Sequence, residues 1–199
     1  MQGLAHVENL TPVGSRATIF VADEVIMLAY WFVVFAFAFR FLPQTLGFTP
    51  VAASLLFFGA RGEKRRMWIP LLLMAASDVL LSTFRYGYPL TWDLLVTWAW
   101  YAAILWLGTN LRDNARPVRV VGAVLASSVS FFLISNFMVW VSGTMYPMTL
   151  SGLTVCYSMG LPFFRRGLES DLLFTCVMFA TPALVHYFSR AGKSDHAAA

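Results

Sequence analysis

Residues 127–140 read SSVSFFLISNFMVW. The run is apolar enough for the interior of a bilayer, yet it carries four serines and an asparagine. Hydrocarbon offers such groups no hydrogen-bond partner. They must face another helix, a backbone carbonyl or a ligand. The run lies inside a longer apolar segment, residues 118–142, which exceeds the ~20 helical residues needed to cross a hydrocarbon core of ~30 Å.

Working outward, four more segments meet or approach that length: residues 24–42, 67–84, 92–111 and 168–188, the last with Pro182 inside it. Two shorter apolar stretches stand between them. In FTPVAASLLFFGA (residues 48–60), Thr49 and Pro50 form an N-cap and first-turn pair. A helix from Pro50 to Ala60 covers only about 17 Å, so it either spans thinly or re-enters. In TLSGLTVCYSMGLPFF (residues 149–164), Gly160 and Pro162 are expected to stop the helix near residue 161. That length suits an interfacial or re-entrant piece capping one mouth of a bundle.

Composition agrees. Of 199 residues, 59% are hydrophobic and only 12% charged, against about 25% charged in a soluble domain; mean hydropathy is +0.68. The net charge of +4 lies in short clusters between apolar segments and reports topology, not nucleic-acid binding. RGEKRR (residues 61–66) and RDNARPVR (residues 112–119) are separated by two spans, so they share a face, expected to be cytoplasmic. Cys156 and Cys176 sit in apolar stretches without metal-ligand spacing and are expected to be small buried hydrophobes. The predicted architecture is all-α integral membrane: a six-helix transmembrane bundle with a short interfacial or re-entrant helix before the last span. Residues 1–22 are a cytoplasmic tail, 23–189 a single transmembrane domain and 190–199 a polar C-terminal tail, with both termini cytoplasmic.

Asp78 is the one carboxylate expected near the middle of a span, and an ionisable group at that depth is a functional candidate. Asp78, Ser82 and Arg85 share a stripe at i, i+4, i+7, which makes Arg85 one candidate partner for the carboxylate; Arg40, near the end of the first span, is a second candidate. In the opening stretch Gly122, Ala126 and Ser130 recur every four residues, a face for close helix packing in lipid. Serines in a span satisfy themselves on the carbonyl one turn back. Asn136 is different, because its amide has two donors and an acceptor. Trp140, Tyr146 and Tyr157 lie near the same end; such rings form interfacial belts or clasp a solute.

The enzyme reading is weak. There is no Gly-x-x-x-x-Gly-Lys-Ser/Thr loop for ATP, no His-Glu-x-x-His, and His6, His186 and His196 do not cluster. No catalytic residue, metal site or cofactor is expected.

Four blocks, in order, carry a resemblance: FTPVAASLLFFGA, IPLLLMAASDVLL, the run SSVSFFLISNFMVWVSGTMYPMTLSGLTVCYSMGLPFF, and SDLLFTCVMFA. Together they resemble a family of uncharacterised bacterial membrane proteins described as transport proteins, itself similar to the S components of energy-coupling factor transporters. The resemblance covers residues 40–182 and is most specific over 127–164. It implies six helices in the bacterial cytoplasmic (inner) membrane, a solute pocket opening outward, and dependence on a transmembrane coupling protein and ATPase pair. The signature positions are Asp78 of the Ser-Asp pair, Asn136 and Trp140 of Asn-x-x-x-Trp, Tyr146 and Pro147 of Tyr-Pro, Tyr157 of Cys-Tyr, and Pro162 to Phe164 of Pro-Phe-Phe. Two features depart from the pattern: Gly47-Phe48 stands where the family has Asn-Phe, and the first span has no Ala-x-x-x-Ala. The expected function is a substrate-binding membrane component for uptake of a small, vitamin- or micronutrient-like solute. Asp78 and Asn136 supply polar contacts, and Trp140, Tyr146 and Tyr157 supply walls or a lid. The alternatives are a small structural or assembly subunit of a larger membrane complex, and a stand-alone proton-coupled carrier.

Overall fold

The computed structural model describes residues 13–43, 48–87, 89 and 91–197, with side chains placed between 23 and 187. Among the described residues six α-helices follow one another: α1 (Val13–Phe39), α2 (Val51–Arg61), α3 (Trp68–Leu80), α4 (Asp93–Thr109), α5 (Pro117–Val141) and α6 (Leu150–Ala197). A 3-10 turn (Lys64–Arg66) leads into α3, and a π-helical turn (Leu81–Tyr86) continues it to Gly87, whose positive φ of 64° closes the end. No strand occurs among the described residues.

Among the described residues three stretches are long and apolar enough to cross a membrane: Lys64–Tyr86, Pro117–Val141 and Leu150–Tyr187. Large apolar side chains such as Trp31, Trp68, Leu95, Trp106 and Val177 face outward. That much exposed hydrocarbon suits lipid rather than water, and the protein is membrane-associated. Helix α1 begins at Val13, inside the stretch expected as tail, and α6 runs to Ala197 through the stretch expected as a C-terminal tail; residues 1–12 lie outside the described ones.

The ambiguous segment 48–60 becomes the centre of the bundle. Every residue of α2 from Val51 to Ala60 is buried, as expected of a helix apolar on all sides. It packs on α1, α4, α5 and α6. Ala29, Val33 and Ala36 bring α1 close on one side, where Tyr30 meets Phe58 edge-on at 5.0 Å and Phe32 meets Phe57 at 5.1 Å. Phe57 also meets Phe179 of α6 at 5.1 Å. On the α4 side the backbones touch. A Cβ on Gly59 would lie 2.2 Å from the Leu105 carbonyl oxygen, and one on Gly108 would lie 2.4 Å from that of Leu56. Pro50, not Thr49, occupies the α2 cap position, without a side-chain cap; the Thr49 carbonyl instead accepts from Ser170 Oγ at 2.9 Å.

The two basic turns meet at the other end of α2. Arg112 Nη2 donates to the Gly62 carbonyl at 2.7 Å, placing a cation at the negative end of the helix. Burial pulls this guanidinium below its ordinary pKa, and neighbouring Asp113 works in the opposite direction.

Three expectations are corrected. Residues 149–161 and 168–188 are not a short interfacial or re-entrant helix and a separate last span, but one helix of 48 residues, about 72 Å if straight. Pro162 removes one hydrogen bond and crowds the Ser158 carbonyl, a local defect that a helix held along its flank by a neighbour tolerates; α5 is that neighbour. Gly160 is buried beneath the Asn136 amide rather than ending the helix. The second correction is the small-residue face of α5. Gly122 and Ala126 are exposed, with nothing within 4 Å of a Cβ on Gly122, and the buried side is Val120, Ala123, Val124, Ser127 and Ser128. Third, Cys156 is buried but Cys176 is exposed.

The α2–α4 crossing leads to a prediction. Gly59→Val forces the two backbones apart and is expected to destabilise the protein by about 3 kcal/mol or more, while Gly122→Ala changes stability by less than about 0.5 kcal/mol. Thermal unfolding of both variants in detergent, followed by size-exclusion fluorescence, checks this; equal midpoints would refute the close-approach role.

Candidate functional site

The first turn of α2 stops partway along the bundle, and a cavity of about 500 Å³ lies beyond it. Thr49, Val51 and Ala52 form one part of its wall. The rest comes from Arg40 after α1, Asp78, Leu81, Ser82 and Tyr86 along α3 and its π turn, Trp100 and Tyr101 of α4, the segment 128–139 of α5, and the segment 160–171 of α6. The lining thus gathers at the end of α2 away from the basic turns.

Asp78 is anchored by three side chains, one from the end of α1 and two from α4. Its Oδ1 accepts from Arg40 Nη2, in an ion pair, and from Tyr101 hydroxyl at 3.3 Å; its Oδ2 accepts from Trp98 Nε1 at 3.0 Å. Arg40 Nη1 in turn donates to the Tyr101 hydroxyl at 3.1 Å. The carboxylate is 6% exposed, so the pair compensates its charge where water is scarce. The network joins the end of α1 to α3 and α4, and it also forms one wall of the cavity.

Elsewhere on the wall, Ser128 Oγ donates to Asp171 Oδ2 at 2.7 Å, linking α5 to α6. Sequence reasoning missed Asp171. It was placed at the start of a last span, near an interface, because a break was expected at Pro162. In the continuous helix it lies opposite the midpoint of α5 and is a second carboxylate on the cavity wall, in addition to Asp78.

Asn136 also lines the cavity. Its Nδ2 donates to the Phe132 carbonyl one turn back at 2.8 Å, and its Oδ1 occupies the space a side chain at residue 160 would fill. Asp78 and Asn136 are therefore brought to one cavity. Trp140, Tyr146 and Tyr157 are not on its wall. Trp140 Nε1 donates to the Pro147 carbonyl at 3.0 Å, tying down the turn between α5 and α6. Tyr157 hydroxyl donates to the Leu133 carbonyl at 2.8 Å, with its ring edge-on to Phe132. Aromatic rings from nearer positions line the wall instead, Trp100 among them, its Nε1 donating to Ser130 Oγ at 3.1 Å and its ring 4.7 Å from Phe131. Among the described residues no group of three His, Cys, Asp or Glu side chains is placed to hold a metal ion.

A family model, "Family of unknown function (DUF6580)", matches residues 20–193. No curated protein and no solved structure matches the chain. The chain belongs to the DUF6580 family.

The ion pair is testable by a double-mutant cycle. Arg40→Met leaves Asp78 buried without its cation and is expected to cost about 3–5 kcal/mol; adding Asp78→Leu to it is expected to recover most of that, and Asp78→Leu alone completes the cycle. Detergent-solubilised unfolding midpoints for the two single variants and the double one give the coupling. Additive losses would mean that the two groups do not act as a pair.

Proposed function

We propose that this member of the DUF6580 family captures a small solute from outside the cell and serves as the substrate-binding membrane component of an uptake transporter. The observation that carries the proposal is the cavity of about 500 Å³, which combines polar groups at Asp78, Ser82, Asn136 and Asp171 with aromatic walls. Solute sites have this size and makeup: mostly apolar surface, with a few placed polar groups that fix orientation. In this reading the helices span the bacterial cytoplasmic membrane with both termini inside. The basic turns at 61–66 and 112–119 face the cytoplasm, and the cavity at the opposite end of α2 opens outward. The resemblance to S components supplies the expectation of a separate coupling protein and ATPase pair that drives release. No group for ATP binding or bond-breaking chemistry is assigned to this chain.

A second reading, an assembly subunit of a larger membrane complex, is favoured by the exposed Gly122 and Ala126 on α5, since small residues on a lipid-facing helix permit close approach of a partner helix. The carrier reading, in which Asp78 titrates during transport, is disfavoured by the saturation of that carboxylate with Arg40, Tyr101 and Trp98.

Native mass spectrometry of the protein from its own host membrane separates the first two. A bound small molecule is expected, and it is expected to be lost in Gly167→Phe. Gly167 lines the cavity, and a Cβ there has nothing within 4 Å, so the backbone leaves room for a side chain to start there and enter the cavity. A stable protein complex with no small-molecule mass in either form would favour the assembly subunit.

A further inference from the structure

We infer that the solute is an organic cation, a protonated amine or quaternary ammonium on a flat apolar body, and that Asp171 is its counter-ion. This inference rests on the solute-binding reading above and names its substrate class. Two carboxylates line the cavity, and they differ in one respect. Asp78 has both oxygens engaged and a guanidinium beside it. Asp171 has a hydrogen bond from Ser128, and no arginine or lysine pairs with it among the described residues. A carboxylate at the midpoint of a bundle carries a large desolvation penalty unless a cation approaches it. The cavity gives a cation room to do so.

The other charges on the wall do not cancel this one. Arg40 is committed to Asp78 and Tyr101. The uncapped N-terminus of α2, at Val51 and Ala52, adds a positive field, but it amounts to only about half a charge. The wall therefore retains a net negative character at Asp171. Trp100, Phe131, Phe132, Phe163 and Phe164 also line the cavity, and their ring faces attract a cation and stack on a flat body. A bare metal ion does not fit: it needs several hard ligands at close range, and among the described residues no such cluster exists. The volume is that of an organic molecule rather than an ion.

The test uses affinity-selection mass spectrometry on the purified full chain in nanodiscs. The probes are three sets of compounds built on the same indole and quinoline bodies, bearing a primary ammonium, a hydroxyl or a carboxylate. The ammonium set is expected to be retained selectively. Asp171→Asn, whose amide oxygen still accepts from Ser128, is expected to weaken retention roughly tenfold to a hundredfold, and Asp171→Glu to retain most of it. Preferential retention of the hydroxyl or carboxylate set would overturn the charge assignment while leaving a solute site standing. Selective ammonium retention unaffected by Asp171→Asn would overturn the role of Asp171. Retention of no set by the wild-type chain would overturn the solute-binding reading and this inference with it. The wild-type comparison of the three sets decides the charge assignment even if the Asn variant does not fold.

Discussion

A helix of eleven residues enclosed on every side is the constraint from which the rest of the molecule follows. Helix α2 is about 16 Å long, roughly half a hydrocarbon core. Its neighbours are longer, so its first turn ends with nothing stacked above it. At its C-terminal end, Arg112 holds the Gly62 carbonyl and Gly59 lies against Gly108, fixing the helix axially and laterally. At its N-terminal end, the surrounding helices continue past Thr49, and the space they enclose is the cavity. The cavity is thus the complement of a short central helix, and its depth is set by where Pro50 starts that helix.

Polar groups around this space fall into two kinds. Those of the Arg40–Asp78–Tyr101–Trp98 network are mutually satisfied and couple α1, α3 and α4. In a lipid-solvated bundle, hydrophobic burial does little to hold one helix against another, because lipid tails are as apolar as leucine. Close packing at Gly59 and Gly108 and buried polar links such as this one carry more of the specificity. Asp171 and Ser128 link α5 to α6 in the same way, but leave a carboxylate without a charged partner among the described residues. One wall of the cavity is therefore built to hold the fold, and the other retains unspent electrostatic attraction.

Much of this was legible in the sequence where the physics is local. Asp78 and Asn136 stand out as polar groups in apolar runs, and the cavity receives both. The arginine clusters predict a shared face, and Arg112 joins them through Gly62. Serine self-satisfaction one turn back is found at Ser54, Ser77 and Ser130. What was not legible depends on which face of a helix meets protein and which meets lipid. The Gly122/Ala126 spacing and the lone Gly59 and Gly108 each permit close packing; only the three-dimensional arrangement selects Gly59 and Gly108. Trp140, Tyr146 and Tyr157 share an end with Asn136, yet helix rotation turns Trp100, Phe131 and Phe164 into the cavity instead.

The break expected at Pro162 shows how one local judgement propagates. A proline inside a helix forfeits a single N–H bond and strains the carbonyl four residues back, a cost of about 3 kcal/mol in an isolated helix. Here α6 is not isolated: Cys156, Tyr157 and Gly160 engage α5 before the proline, and Asp171 engages it afterwards. These contacts fix the helix axis on both sides of Pro162, so bending there would sacrifice several of them to relieve one strained carbonyl. Continuity across Pro162 then moves Asp171 from the presumed start of a span to the level of Ser128, in the middle of α5. Whether that carboxylate is a solvated helix start or a cavity-lining group bonded to Ser128 depends on the tertiary support of a proline nine residues before it.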